Sequence, residues 1–319
     1  MQACNGNSGL GGLVKVLRAK KIDRGQRDKK NDRQMKSFFA TLVNLERLEL
    51  GYKATSLIEI ILSPRVARST LPRLEILKLT TPTPLDDKPL DSKTYRYLSE
   101  FPSLHRLELS DSGAQPLTCS SKGGQKLANI KSLVPEGYFV DDKATSSFLQ
   151  IFPSLASLTL DTYRSHRTAY SELVALLPTS LTSLTLRCLG LYNDHLAPCD
   201  QHFPRLVNLE YLYLSEGTFT ENLIDALRHL PKLRTLGFGK GAILNCSKLE
   251  EMILGPNRLP SLEKVIFDQV EATSKRKWGR HPKGTLSKEE FIKLVHKIKL
   301  QGIEVEGTAI TAMRSKKAR

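Results

Sequence analysis

Cys188, His195, Cys199 and His202 lie close together in the chain, at spacings of 7, 4 and 3 residues. Thiolate sulfur and imidazole nitrogen are donors that zinc prefers, and two of each would fill a tetrahedral shell. The spacing lacks the compact ligand pairs usual for structural zinc, and Cys188 falls just past a strand, where burial would account for it. No metal is therefore assigned. Gly237-Phe238-Gly239-Lys240-Gly241 resembles a phosphate-cradling loop in its small residues and its lysine. The pattern is short enough to arise by chance and reads as a tight turn. The sequence holds no Gly-x-Ser-x-Gly elbow, no His-Glu-x-x-His and no Gly-x-x-x-x-Gly-Lys-Ser/Thr. Its seven histidines are dispersed, none with a carboxylate and a nucleophile at a recognisable spacing. Neither an enzyme nor a cofactor is expected.

The net charge of +15 first suggests a nucleic-acid partner, so its location matters. Residues 15–36 hold ten Lys/Arg against three Asp, 273–300 nine against two, and 313–319 four against none. These segments carry more than the whole excess and leave the rest of the chain slightly acidic. Within them, Lys275, Arg276, Lys277, Trp278 and Arg280 join four cations to a stackable indole. Such a cluster could touch RNA or DNA or act as a nuclear-import signal, and its plain reading is a solvated basic loop.

Leucines set the architecture that must position these residues. From Leu45 to Phe267 the chain repeats Leu-x-x-Leu-x-Leu, or a near copy, nine times, starting at Leu45, Leu74, Leu104, Ile130, Leu155, Leu181, Leu209, Leu233 and Leu262. The intervals run from 24 to 30 residues, shorter than helical repeats use. The fourth and sixth positions alternate with residues expected to be exposed, as a half-buried strand requires. An apolar-Pro pair precedes most strands, as at Leu71-Pro72, Phe101-Pro102, Phe152-Pro153, Leu177-Pro178, Leu230-Pro231 and Leu259-Pro260. Proline cannot extend a helix, so each pair reads as the switch from helix to strand.

Between strands the spacing is helical. Thr220 is expected to cap a helix whose face is Leu223, Ile224, Leu227 and Leu230, and Thr168 to Leu177, Thr55 to Leu62 and Ser247 to Leu254 read similarly. Val14, Leu17 and Ala19 suggest a degenerate first strand, followed by a basic loop and a helix over about 31–41. Ser287 and Glu290 form a capping-box pattern before Phe291, Leu294, Val295 and Ile298. Leu300-x-x-Ile303-x-Val305 then repeats the strand motif a tenth time. The expected organisation is a tail and basic capping segment over 1–41, a repeat body over 42–306 and a basic disordered tail over 307–319. The body has about ten strands, a loop near 113–126 and a basic insertion near 273–286. Five scattered cysteines suggest reduced thiols in the cytoplasm or nucleus. The first residues lack the apolar stretch of a signal peptide, and no window is apolar enough for a membrane span.

Strand plus outer helix every 24–30 residues resembles the ribonuclease-inhibitor-like class of leucine-rich repeats, over about residues 42–270. Where that class places a buried Asn or Cys ladder, this chain has Lys53, Pro82, Ser112, Tyr138, Tyr163, Leu189, Gly217, Gly241 and Val270. Irregular coils of this kind are similar to the repeats of divergent fungal F-box proteins, although residues 1–41 contain no F-box-like segment. The resemblance implies an α/β solenoid with a parallel β-sheet on its concave face and helices on its convex face. It also implies a protein-protein interaction module and, through the F-box relatives, a substrate-recognition subunit working with a ubiquitin-ligase adaptor.

Residues between and after the paired leucines are expected on the concave face. In the early strands Glu49, Lys78 and Glu108 fall in one column, where opposite charges attract across strands. The centre becomes a hydroxyl-rich strip of Ser157, Thr159, Ser183, Thr185 and Arg187, ending in Tyr211 and Tyr213 and followed by Ser215 and Thr235. Paired exposed tyrosines give rigid contact area at low entropic cost, so these nine residues are the expected surface for a protein partner. One alternative is a nucleic-acid or chromatin-associated binder acting through 15–36, 273–300 and 313–319. The other is a structural scaffold.

Overall fold

Every copy of the leucine motif opens with the same turn. The amide of the first leucine bonds to the carbonyl three residues earlier: Leu45 to Leu42 at 3.0 Å, Leu74 to Leu71 at 3.2 Å, Leu104 to Phe101 at 3.4 Å, Leu155 to Phe152 at 3.2 Å and Leu233 to Leu230 at 3.2 Å. Pro72, Pro102, Pro153, Pro231 and Pro260 occupy the second position of this turn, where their fixed φ already suits the geometry. The apolar residue before each proline supplies the accepting carbonyl and buries its side chain, as Leu71, Phe101 and Phe152 do. After the turn, two successive amides share one carbonyl of the preceding coil. Glu75 and Ile76 both donate to Glu46 O, at 2.9 and 3.0 Å, and Arg234 and Thr235 to Glu210 O, at 2.8 and 2.9 Å. This fork fixes where each strand begins, and so which side chains face the core.

The structure, a computed structural model, describes residues 12–19, 29–51, 71–81, 98–111, 126–136, 149–162, 169–188, 199–215, 222–239, 246–256, 258–268 and 288–308. The chain divides into two units, Met1–Leu155 and Ala156–Arg319. In the first, β1 (Val16–Ala19), β2 (Arg47–Leu50), β3 (Ile76–Thr81), β4 (Arg106–Asp111) and β5 (Ser132–Glu136) pair in sequence order, all parallel. Helix α1 (Lys29–Ala40) connects β1 to β2 and buries Phe38 and Phe39. The degenerate first strand is thus present, with Ala19 buried and Val16 exposed.

The second unit runs β6 (Ser157–Thr162), α2 (Ala169–Leu176), β7 (Ser183–Cys188), a 3-10 helix (Asp200–Arg205), β8 (Tyr211–Leu214), α3 (Leu223–Leu227), β9 (Thr235–Phe238), α4 (Cys246–Leu254), β10 (Lys264–Phe267), α5 (Lys288–Leu300) and β11 (Glu304–Glu306). Its strands are also parallel and sequential. The helical segments pack on one another in chain order behind the sheet. Leu184, Leu186, Leu212, Leu214, Leu236, Phe238, Val265 and Phe267 fill the space between the layers. Phe267 closes that core at the far end, stacked 6.0 Å from Phe238 and edge-on to Phe291 of α5 at 5.0 Å.

Two expectations change here. Leu300 was expected to begin the last strand motif, but it ends α5 and is 70% exposed. The helix runs on because Phe291, Leu294, Val295 and Ile298 all reach the core, and Gly302, at φ +77, ends it. Only Ile303 and Val305 then supply buried positions to β11. The helix expected to be capped by Thr220 starts at Leu223, with Asn222 as its N-cap residue. Thr220, Thr168, Ser287 and the Thr55 to Leu62 segment lie outside the described residues.

The nine ladder positions, Lys53 to Val270, also lie outside the described residues, yet a polar ladder runs elsewhere. The residue just before the first leucine reaches back to the preceding coil. Asn44 donates to Gly12 O at 2.7 Å, Ser103 to Pro72 O at 2.7 Å, Asn208 to Thr179 O at 2.9 Å and Ser261 to Pro231 O at 2.7 Å. Asn129 donates to Leu104 O at 3.0 Å. A turn carbonyl left without a helical or strand partner is satisfied in this way.

Candidate functional site

The open face of the first unit is a chain of ion pairs. Glu49 accepts from Arg47 Nε at 2.7 Å and from Arg18 Nε at 2.9 Å. Arg47 reaches past β3 with Nη2 to Glu108 Oε2 at 3.1 Å, and Arg106 Nε meets Glu108 Oε1 at 2.8 Å. Lys78 pairs with Glu136 at 3.1 Å, and Ser110 Oγ donates to the same oxygen at 3.0 Å. The column Glu49, Lys78, Glu108 is in register as expected, but Arg47 and Lys78 reach diagonally across two strands, to Glu108 and Glu136. Burial acts to raise the Glu49 carboxyl, and the Arg47 and Arg18 hydrogen bonds overcome it and hold the group below the ordinary carboxylate range. Part of the basic 15–36 segment is spent here too, since Lys15 bonds Glu46 at 2.9 Å.

The open face of the second unit has a different character. One column reads Ser157, Ser183, Tyr211, Thr235, Lys264, and the next reads Thr159, Thr185, Tyr213, Gly237, Ile266. On β6 and β7 the side chains are short hydroxyls, with Ser157, Thr159 and Ser183 partly exposed. On β8 the half-buried Tyr211 stands in register beside Ser183. Burial, in the first place, pushes the Tyr211 hydroxyl above its ordinary range, and its phenol also bonds Thr185. Arg187 stands exposed at the end of β7, its guanidinium carbon 5.4 Å from the Tyr213 ring centroid.

Tyr213 corrects the expectation of an exposed tyrosine pair. It is 7% exposed, and its hydroxyl donates to Asp268 Oδ2 at 3.0 Å. To reach Asp268 the ring lies flat across β9, over Gly237 and Gly239. A Cβ on Gly237 would sit 2.3 Å from Tyr213 Cδ2, and one on Gly239 2.7 Å from its hydroxyl oxygen. Gly237 and Gly239, read as a tight turn, therefore provide the floor for a ring, and Gly237 is a strand residue. Burial first, and then the Asp268 charge and hydrogen bond, push the Tyr213 phenol well above its ordinary range. Asp268 Oδ1 also accepts from the Thr308 amide at 3.1 Å, which ties the chain after β11 to the same clasp. Thr185 and Ser215 are buried as well. Of the nine expected contact residues, Ser157, Thr159, Ser183, Arg187, Tyr211 and Thr235 remain accessible. Only the alternation of glycines on β9 opposite a tyrosine hinted at the clasp.

The other candidates lie partly or wholly outside the described residues. Cys199 is buried, and His202 Nε2 lies 3.0 Å from Ser171 Oγ and 3.1 Å from Gln201 Nε2. Burial, with the nearby Arg205 charge, lowers the His202 pKa. His195 lies outside the described residues, among which no group of three His, Cys, Asp or Glu side chains is placed to hold a metal. Lys240, Lys275, Arg276, Lys277, Trp278 and Arg280 also lie outside them. No helix among the described residues is long and apolar enough to cross a membrane.

Parallel strands that each carry the leucine motif, backed by helical segments, define an α/β leucine-rich-repeat solenoid in both units. No family model and no curated protein matches the chain. Among solved structures it is similar to a chain in the crystal structure of the TLR13-ssRNA13 complex, at 21% identity and a TM-score of 0.45, covering 79% of this chain and 32% of that one. It is also similar to a chain in the crystal structure of the LRIM1/APL1C complex, at 14% identity and a TM-score of 0.34, covering 89% and 53%. The chain thus spans about a third and about half of the lengths of these two.

Proposed function

We propose that this chain is a non-enzymatic interaction module that holds a protein partner on the open face of its second unit. The observation that carries this reading is the accessible run of Ser157, Thr159 and Ser183 in register with the half-buried Tyr211. A run of hydroxyls beside an amphipathic ring accepts a partner side chain on the ring and partner backbone groups on the hydroxyls. Arg187 extends the contact at the rim. The module would serve as a substrate-recognition subunit of a ubiquitin ligase, a finer reading supported only by the resemblance of its coils to those of F-box proteins.

The test is affinity purification of the full chain from native cells, with Tyr211→Ala and Ser183→Arg variants beside it. The first removes the ring and the second covers the hydroxyls. Each should lose at least one co-purifying protein while circular dichroism and thermal midpoint stay unchanged. Partners retained by both folded variants would refute the site. Failure of a ligase adaptor to co-purify would remove the ligase role alone.

A further inference from the structure

The sheet of the first unit ends at β1, which pairs with β2 on one side and, among the described residues, with no strand on the other. In a parallel ladder, alternate residues of a strand turn their backbone groups to opposite neighbours. The Arg47 amide donates to Lys15 O at 3.0 Å, and the Gly51 amide to Ala19 O at 2.8 Å. Lys15, Leu17 and Ala19 therefore face their backbone groups to β2, and the N–H and C=O of Val16 and Arg18 point away from it. Folded sheets blunt such an edge with a proline, a bulge or a charge turned inward, and β1, Val-Leu-Arg-Ala in unbroken register, has none of these. Apolar surface lies along the same edge. Leu17 is half-buried, whereas Leu48, its register partner on β2, is fully buried. Val16 is 50% exposed and Leu13 77%. Leu13 holds the place that Asn44, Ser103 and Asn129 hold in later coils, where a polar side chain reaches back to the coil before.

Hydrogen-bond chemistry and charge select the occupant. The edge offers donors and acceptors in alternation, which another extended peptide backbone matches group for group. Nucleic-acid phosphates accept hydrogen bonds and do not donate them, and residues 1–37 contain no aromatic side chain on which a base could stack. A lipid surface would leave the edge carbonyls without donors in its apolar layer. Among peptides, charge decides. Lys15 and Arg18 each hold one carboxylate of the β2 coil, Glu46 and Glu49, with side chains still 69% and 64% exposed. The surplus comes from the rest of the first coil, since residues 15–36 carry ten Lys/Arg against three Asp. A second copy of the chain would bring the same surplus against this one, and residues 1–11 contain no carboxylate. We infer that the free edge of β1 takes up an extended acidic strand of a protein partner, with aliphatic side chains on alternate positions covering Leu17 and carboxylates on the others beside Arg18. This surface is separate from the proposed partner site on the second unit.

Fluorescence anisotropy on the full chain tests this with a short labelled peptide of alternating valine and glutamate. Only one alternate set of its amides can face β1. N-methylation of one set should therefore abolish binding, and N-methylation of the other should leave it within about threefold. A glutamine-for-glutamate twin should bind roughly tenfold more weakly, as the loss of charge-assisted hydrogen bonds requires, and rising salt should weaken the glutamate peptide. On the protein side, Val16→Pro removes an amide that β2 does not use, a substitution that edge strands tolerate. It should lose roughly tenfold in affinity with the thermal midpoint unchanged. Tyr211→Ala should bind the peptide normally, so that this inference and the proposed partner site fail separately. Absent peptide binding, equal effects of the two N-methylated sets, or undiminished affinity in folded Val16→Pro would overturn the inference. The methylated peptides decide the matter on the parent chain if Val16→Pro does not fold. A peptide-free dimer in sedimentation that Val16→Pro dissolves would overturn it in favour of a second copy. Single-stranded RNA or phosphatidylserine vesicles bound more tightly than the peptide, and released by it, would overturn it in favour of a polyanion.

Discussion

Replacing Gly237 by alanine tests the clasp in the second unit, because two opposite effects meet at that position. In an ordinary strand the added methyl stabilises by about 0.5–1 kcal/mol, since glycine gives up more backbone freedom on folding. Here the new Cβ would lie 2.3 Å from Tyr213 Cδ2 and 3.1 Å from Cε2 and Cγ, against a comfortable separation of about 3.5–4.0 Å. The ring would have to withdraw by more than about 1 Å. It cannot do so cheaply, being 7% exposed and bonded to Asp268 at 3.0 Å. Overpacking of this kind costs about 1–3 kcal/mol, and a lost hydrogen bond to a charged acceptor about 1.5–3 kcal/mol. Even when the two overlap they outweigh the backbone gain, so Gly237→Ala should destabilise the chain by about 2–3 kcal/mol. Without the tyrosine ring the clash disappears, and Gly237→Ala in a Tyr213→Ala background should be neutral or stabilising by up to about 1 kcal/mol. Urea titration followed by far-ultraviolet circular dichroism measures both, with an unchanged m-value as the condition for comparison. A Gly237→Ala chain as stable as the parent, or one equally destabilised in both backgrounds, would refute the account of the ring and its floor.

Four further outcomes are expected. In an alkaline absorbance titration, Tyr211 and Tyr213 should form phenolate only above the ordinary value of 10.0. Their folded pKa values are raised, so their stabilising effect is complete below pH 10 and is lost as pH climbs further. Glu49 has the opposite sign: its folded pKa is depressed from 4.5, so the stability it contributes is present above that value and disappears as pH falls. Glu49→Gln should therefore flatten the acid limb of the stability profile. Asn129→Ala should cost about 1–2 kcal/mol in urea unfolding, because it removes the donor that satisfies Leu104 O. On α5, Leu300→Ser should stay within about 0.5 kcal/mol of the parent, whereas Ile298→Ser should cost about 2–5 kcal/mol; similar values for the two would contradict the assigned helix face.

Much of the fold was legible in the leucines alone. A period near 27 residues with alternation at its strand positions admits one arrangement, because parallel strands that share a core must repeat their buried set in register. The prolines were legible as switches, but their role as the second residue of a turn depended on a hydrogen bond no pattern displays. The hydroxyl strip was visible as composition. Which of its members are accessible was not, because Thr185, Tyr213 and Ser215 carry the residue types of a surface and are buried by what lies across the sheet.

Local pattern and long-range contact divide the determination of this protein between them. By itself the sequence determined the strand period and the core face of α5, since each depends on neighbours within one coil. Tertiary structure alone decided that Leu300 belongs to a helix, that Glu108 lies beneath two arginines and that Tyr213 crosses two glycines to an aspartate 55 residues away. Those outcomes depend on which side chains stand on adjacent strands and on how far a long side chain can reach, quantities that exist only once the coils are stacked.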